Sequence, residues 1–194
     1  MNKKSYSSYI IGGLLVVVGI WLITTYNALV KKDEKVKLQW NEVQNAYQRR
    51  LDLIPNLVNV VKGGADYEQT TLQKIAEARA KATSINVTGI NAENYQQQVA
   101  AQDELAAAAN RLIVAVEKYP ELQGAKAFSG LQTQLERTEL RIKIARKDFN
   151  AAIAEYNKSV KKFPTKLITG LFGFPAKEGF KSDAGADKSV EIKF

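Results

Sequence analysis

The chain has 194 residues and a formal net charge of +8 at pH 7, and it contains neither cysteine nor histidine. These absences remove the commonest general base and zinc ligand, thiolate nucleophiles, disulfides and a lipidated cysteine anchor. Since glycine-rich nucleotide motifs are also absent and the charges are interspersed rather than gathered in a basic stripe, we expect no catalytic, cofactor or metal site and no nucleic-acid partner.

The N-terminal segment has the length and composition of a transmembrane helix. After a short flank, residues 1–4, residues 5–30 contain no Asp, Glu, Lys or Arg. As a helix they extend about 39 Å, enough to cross a hydrocarbon core of about 30 Å. We predict that aromatic and lysine side chains mark the two bilayer interfaces, namely Tyr9, Trp21, Tyr26, Lys31 and Lys32.

A cleaved secretory signal is the alternative interpretation of this segment. It is disfavoured because Thr24-Thr25-Tyr26-Asn27 follows the apolar run, where a small-residue cleavage site would be needed. Two lysines precede the helix and four lie in the seven residues after it. The positive-inside rule therefore favours an outside N-terminus and a cytoplasmic bundle in a bacterial inner membrane, with a periplasmic bundle as the alternative.

The sequence after the anchor predicts a long amphipathic helix. From Val36 to Ala65 apolar residues recur at alternating steps of four and three, the heptad stripe of a coiled coil, and further apolar positions extend the helix to about Thr83. Pro55 lacks an amide proton and its ring clashes with the carbonyl four residues earlier, so we expect a kinked rod rather than a hairpin there. Gly63-Gly64 offers a second flexible point.

Two further helices follow. Residues 84–90 are rich in β-branched and turn-forming types and predict a loop, with Asn91 as N-cap of a helix over residues 92–118. Tyr119-Pro120 ends that helix, and a last amphipathic helix spans residues 125–162. Short connections between long amphipathic helices predict antiparallel neighbours.

The predicted fold class is therefore all-α. An N-terminal transmembrane helix runs into an antiparallel, coiled-coil-like bundle of three to four long helices, residues 31–163. Residues 164–194 form a partly mobile tail, polar from Lys181 onward. Its first part, up to Phe180, is interrupted by proline and glycine yet strongly apolar. That part either folds back over one end of the bundle or contacts the bilayer surface or a neighbouring subunit.

The most residue-specific segment surrounds Pro55. In a functional interpretation, Arg49, Arg50, Asp52 and Asn56 form a polar contact surface at the kink, for an anionic headgroup or a partner protein. In a structural interpretation, which we favour, Arg50 and Asp52 pair with neighbouring helices and Asn56 satisfies backbone carbonyls freed by Pro55.

Several motifs along the chain occur together in the order typical of one known family. They are Tyr26-Asn27, Arg49-Arg50-x-Asp52-Leu53-Ile54-Pro55-Asn56-Leu57-Val58, Ala78-Arg79, Tyr119-Pro120-Glu121-Leu122, Leu135-Glu136-x-Thr138-Glu139, Ala145-Arg146, Tyr156-Asn157, Phe163-Pro164 and Gly173-Phe174. With this pattern the chain closely resembles the LemA family of bacterial membrane proteins, from the anchor to about Phe180. The resemblance implies an N-terminal transmembrane helix with a helical bundle, and it implies no particular biochemical role.

We therefore predict a non-enzymatic, self-associating scaffold that organises or shapes membrane. The bilayer is its expected partner. The first helix is predicted to be much longer than the middle one, which leaves part of its apolar face without an internal partner and favours a homo-oligomer. The alternative function is an adaptor or accessory subunit for another membrane protein, such as a protease or an envelope-stress component.

Overall fold

The computed structural model describes residues 3–64, 69–85, 92–116 and 126–180, and within these ranges the chain is helical without strands. Four long helices are present, α1 (Lys3–Gly64), α2 (Gln69–Ser84), α3 (Ala92–Val116) and α4 (Lys126–Lys161). A short helix, α5 (Lys166–Thr169), and an irregular stretch to Phe180 follow. The predicted all-α bundle of three to four long helices is confirmed.

Helix α1 joins the apolar N-terminal segment to the bundle without a break. It has 62 residues, which corresponds to a length of about 93 Å. Among the described residues it is the one helix long and apolar enough to cross a membrane. The large apolar side chains between Tyr9 and Ile23 are mostly exposed, because no other described part of the chain covers them.

The first helix of the bundle is shorter than the heptad stripe predicts. Helix α1 passes through Pro55 but ends at Gly64, and Arg79 of α2 contacts the carbonyl of Leu51, well before that end. Helix α2 therefore runs back along α1, and the prediction of one rod to about Thr83 was wrong. Apolar periodicity is the same before and after such a reversal, so the pattern alone does not reveal it.

The long helices alternate in direction. Lys32 of α1 bonds to Ser159 of α4, and Arg50 of α1 bonds to Glu139, so residue numbers rise on one helix as they fall on the other. Between α1 and α3 the residue numbers rise together, since Gln44 bonds to Gln98 and Arg50 to Gln102. These two helices are therefore parallel. The bundle is therefore of the up-down-up-down type.

The core has two parts along α1. The distal cluster, where all four long helices meet, includes Leu51, Ile54, Leu57, Val61, Ile75, Leu105, Leu112, Phe128 and Leu135. The proximal cluster lies nearer the anchor, mainly between α1 and α4, and includes Leu29, Val36, Trp40, Val43, Tyr47, Tyr95, Phe149, Tyr156 and Val160. Phe174 and Phe180 pack against the proximal cluster, where the second and third helices are missing or just beginning.

The heptad stripe of α1 is covered within one chain. Val36, Val43 and Val61 are 0% exposed. Leu53 and Leu57, which lie outside the stripe, are buried as well, because several helices surround this part of α1. Among the described residues, the stripe positions from Val36 to Val61 are buried or half-buried within one chain and supply no surplus apolar face, and self-association stays a prediction.

Several sequence predictions lie outside the described residues. They are the N-cap Asn91, the turn at Tyr119-Pro120 and the mobile end, Lys181–Phe194.

Candidate functional site

Arg50 is the most deeply buried charged residue among those described, and its guanidinium connects three helices. Its side chain is 2% exposed. Nη1 donates to the Gln102 carbonyl at 2.8 Å and to the Gln102 side-chain oxygen at 3.2 Å, while Nη2 donates to Glu139. Because an unpaired charge in such a position is very costly, these bonds fix the register of α1 against α3 and α4.

The Arg50 side chain also lines an open groove of about 380 Å³ between α3 and α4. Apolar and small side chains such as Ala109, Ile113 and Leu135 form much of its wall. Within the described part of the chain, Nε of Arg50 and Nε2 of Gln102 are the buried side-chain polar atoms that lack a hydrogen-bond partner. The groove therefore presents apolar surface beside the buried contacts of Arg50.

The other residues of the predicted polar motif point elsewhere. Arg49 is exposed and lines a second open groove, of about 420 Å³, between α1 and α4. Asp52 is exposed and accepts a hydrogen bond from Gln48 of its own helix at 2.8 Å. The motif thus divides into an internal arginine and external neighbours, and a partner-binding role for Arg49 and Asp52 stays a prediction.

The carbonyl that Pro55 leaves without a helical donor belongs to Leu51. It accepts a hydrogen bond from Nε of Arg79 on α2 at 3.3 Å. Asn56 donates instead to the Asp52 carbonyl, at 3.5 Å. A side chain from the neighbouring helix therefore compensates for the proline, and it does so only because α2 folds back.

Arg146 forms a second polar connection, one that periodicity did not reveal. Its Nε donates to the Tyr47 hydroxyl at 2.9 Å, and Nη2 pairs with Asp103 at 3.0 Å. Burial raises the pKa of Tyr47, and the nearby Arg146 offsets only part of that rise. Arg146 lies beside the apolar stripe of α4 rather than in it, so the Ala145-Arg146 motif was the only sequence signal.

The tail segment, residues 174–180, is held on α4 by two asparagines spaced two helical turns apart. Asn157 accepts from the Lys177 amide at 2.9 Å and donates to the Lys177 carbonyl at 2.7 Å. Asn150 likewise accepts from the Phe180 amide at 2.8 Å and donates to the Phe180 carbonyl at 3.1 Å. The tail thereby covers the proximal cluster, so this part of the tail folds back over the bundle.

The residues predicted to mark the bilayer interfaces lie along the first half of α1. Tyr26 packs edge-on against Phe172 and Phe174, with ring centroids 5.4 and 5.6 Å away. Lys32 donates to Ser159 at 2.6 Å, and Lys31 is exposed. The other two lie nearer the N-terminus, with Tyr9 exposed and Trp21 half-buried. Their contact with lipid stays a prediction.

Asp33 ties the tail to α1 just beyond the anchor. Its carboxylate pairs with Lys177 at 2.8 Å and with Lys37 at 3.1 Å. Burial alone acts to raise the pKa of Asp33, but the hydrogen bonds and charges of these two lysines outweigh it, and the pKa is lowered. The pair with Lys177 is mostly sheltered, with each side chain 18% exposed.

The polar groups of the described chain thus act mainly on one another. No cluster of three or more Asp or Glu side chains suited to a metal ion occurs in these residues. Arg50, Arg146 and the two asparagines all connect helices or the tail. What this arrangement accomplishes chemically is to fix helix register and to hold the tail against α4.

These features define a membrane-associated helical-bundle protein. A family model described as the LemA family matches residues 39–194. The chain belongs to the LemA family.

Curated relatives include magnetosome proteins. Magnetosome protein MamQ of Magnetospirillum gryphiswaldense is 25% identical over 188 residues, which cover 87% of this chain and 69% of that protein. Magnetosome protein MamQ 1 of Paramagnetospirillum magneticum gives the same identity and the same coverage of 87% and 69%. Protein LemA of Metamycoplasma hominis is 22% identical over 142 residues, 73% of this chain and 62% of that protein.

Adjacent arginines provide a matched test of the buried network. Replacing Arg50 by Ala leaves the buried side-chain oxygen of Gln102 without its donor, which costs about 1–3 kcal/mol, and also removes the packing of the arginine stem. The exposed neighbour in Arg49→Ala should cost less than about 0.5 kcal/mol. Urea unfolding of the full chain in mild detergent, followed by circular dichroism, measures both. Equal losses for the two variants would contradict the assignment of Arg50.

The Asp33 pair predicts a dependence of stability on pH. Because the folded-state pKa is lowered from its ordinary value of 3.8, the pair stabilises the fold above that value, and the contribution is lost as pH falls through the folded-state pKa. The melting temperature of the unmodified protein should exceed that of Asp33→Asn at about pH 6, and the gap should narrow as the pH falls below 3.8. A gap that is independent of pH would show that Asp33 is not charged in this contact.

Proposed function

We propose that this protein is a non-enzymatic, self-associating scaffold that organises or shapes a bacterial inner membrane. The observation that carries the proposal is the continuity of α1 from the apolar segment into the bundle core. A helix that is packed on one side against α4 transmits the orientation of the membrane segment to the bundle. The protein is therefore a stiff rod with a membrane anchor rather than a bundle on a flexible tether.

Contacts at the end of the bundle nearest the membrane segment support this proposal. Leu29 lies within the predicted membrane segment, yet it is 1% exposed, because the end of α4 covers it. Lys35 pairs with Glu155 of α4 at 2.8 Å. At the same height along α1, the Asp33–Lys177 pair attaches the tail segment. The bundle thus begins where the anchor ends, which leaves little length of free helix between them.

The open grooves and the chemistry of the described residues favour a structural role over catalysis. Both large grooves are solvent-open, and Arg50, the buried charged side chain beside one of them, is engaged in contacts between helices. The MamQ relatives are named for the magnetosome, and their names denote no reaction. We accordingly propose no substrate.

The adaptor function is favoured by one specific feature, the groove between α3 and α4. Small residues such as Ala106 and Ala109 on its wall allow a helix to approach closely, and Val114 at its edge is 60% exposed. A partner segment seated there would lie beside Arg50 and Glu139. In that case the assembled species contains a second protein, whereas the scaffold assembles from copies of this chain alone.

Particle mass separates these functions. The full chain in mild detergent should form assemblies larger than one copy by light scattering. Residues 27–194, which keep Leu29 but lack most of the anchor, should form smaller ones, because contacts between the anchors of neighbouring copies are lost. A monomeric full chain would contradict the scaffold and direct attention to the α3–α4 groove, where Val114→Glu at the exposed edge should weaken binding of a partner recovered by affinity purification.

Orientation is a separate part of the proposal, with the N-terminus outside and the bundle in the cytoplasm. The chain lacks cysteine, so a single cysteine introduced at the exposed Lys147 can be labelled selectively. A membrane-impermeant maleimide should react with it only after the cells are permeabilised. Labelling in spheroplasts with an intact inner membrane would place the bundle in the periplasm instead.

A further inference from the structure

The basal segment, residues 163–172, is unusually apolar for a surface that faces water. It contains α5 and follows directly on α4. Phe163 is 75% exposed, Leu167 71% and Leu171 83%. These side chains are not covered by any other described part of the chain, although the adjoining tail segment is firmly packed. An exposed apolar patch of this kind indicates a partner surface.

The basal segment lies beside the last turns of the predicted membrane helix. Phe172 contacts Tyr26, and Thr165 shares a groove of about 260 Å³ with Thr24 and Ala28. A hydrocarbon core of about 30 Å takes about 20 helical residues, so a core that begins at Tyr9 ends near Ala28. The basal segment is therefore at the depth of the bilayer boundary, not above it.

The charged residues within the basal segment and its immediate sequence flanks are all basic, although Lys177 is paired with Asp33 of α1. Residues 161–177 contain four lysines, Lys161, Lys162, Lys166 and Lys177, and no acidic residue. Lys161, Lys162 and Lys166 are exposed. Lysines that flank exposed Leu and Phe side chains are typical of segments lying in a membrane interface, since the ammonium groups reach headgroups while the apolar side chains enter the acyl region.

Part of the backbone of the basal segment is satisfied within the chain. The amides of Lys166, Leu167, Ile168 and Thr169 donate to the carbonyls of residues 162–165, and the Phe172 amide donates to Ile168. Pro164 has no amide hydrogen to satisfy. Partial removal from water therefore costs this segment less than it would cost an open loop.

From these observations we infer that the basal segment is a second membrane contact, inserted in the boundary between headgroups and acyl chains of the leaflet where α1 emerges. Its occupant is the lipid surface, with anionic headgroups at the lysines. Gly173, whose φ of 72° suits glycine, then reverses the chain into the tail segment on α4. The anchor and the basal segment together would hold the bundle at two points, which restricts its tilt.

A bilayer explains the patch better than a second copy of the chain. The apolar residues are continuous with the exposed surface of the anchor through the Tyr26–Phe172 contact. Two basal segments facing each other would also bring together the exposed lysines Lys161, Lys162 and Lys166, and neither segment contains an acidic residue. The inference rests on α1 crossing the membrane, and its test includes that point.

Depth-dependent quenching tests the inference with the full chain. Single-cysteine variants Leu167→Cys and Leu171→Cys, labelled with the fluorophore NBD, are reconstituted in vesicles of phosphatidylcholine and phosphatidylglycerol with nitroxide-labelled phosphatidylcholine. Ile20→Cys is the control within the anchor, and Lys147→Cys is the control on the exposed face of α4. Circular dichroism verifies that each variant keeps its helical content.

The expected result is loss of NBD fluorescence at residues 167, 171 and 20, with residue 147 unaffected. Quenching at residue 20 without quenching at 167 and 171 would overturn the basal contact while leaving the anchor intact. Energy transfer between differently labelled copies at residue 167, without lipid quenching, would assign the patch to a second copy and also overturn it. Absence of quenching at residue 20 would overturn the anchor and, with it, this inference.

Discussion

Helix α1 passes from a segment suited to lipid into a segment suited to a water-exposed bundle, and its hydrogen-bonded backbone is uninterrupted between them. Between Ile10 and Ile23 the side chains are apolar on all sides and most of them are exposed, as a lipid environment favours. In its second half an apolar stripe turns toward α4 and the other helices, while polar side chains face water. Since the helix does not break between these halves, the bundle is built directly onto the anchor, and the ion pairs of Asp33 and Lys35 lie just beyond it.

Buried polar contacts then select one arrangement among those that apolar stripes allow. A heptad stripe tolerates a slip of one repeat, but Arg50 reaches Gln102 and Glu139 in one register only. Arg146 and Asn157 impose similar conditions on α4 and the tail. Arg79, Glu139, Arg146 and Asn157 all belong to the motifs on which the family resemblance rests. In this chain those motifs therefore describe internal contacts more than an exposed site.

The sequence predicted the helix content, the bounds of α3 and α4 to within a few residues, and nearly all of the apolar stripe of α4, because each depends on local periodicity. The sequence did not predict features that depend on contacts between residues far apart in the chain. The reversal after Gly64 leaves the stripe's phase intact, and the compensation of Pro55 by Arg79 exists only once that reversal has occurred. Likewise, nothing local distinguishes the tail residues that Asn150 and Asn157 hold from the exposed ones just before them.

Amide hydrogen exchange of the full chain in vesicles tests whether α1 is continuous between the anchor and the bundle. Slow exchange at every amide from Thr24 to Trp40, with no gap between the lipid-protected and the bundle-protected residues, is the predicted result. Exchange at the rate of an unfolded peptide around residues 30–35 would reveal a hinge. In that case the anchor would be a flexible tether, and the bundle would not inherit its orientation from the membrane.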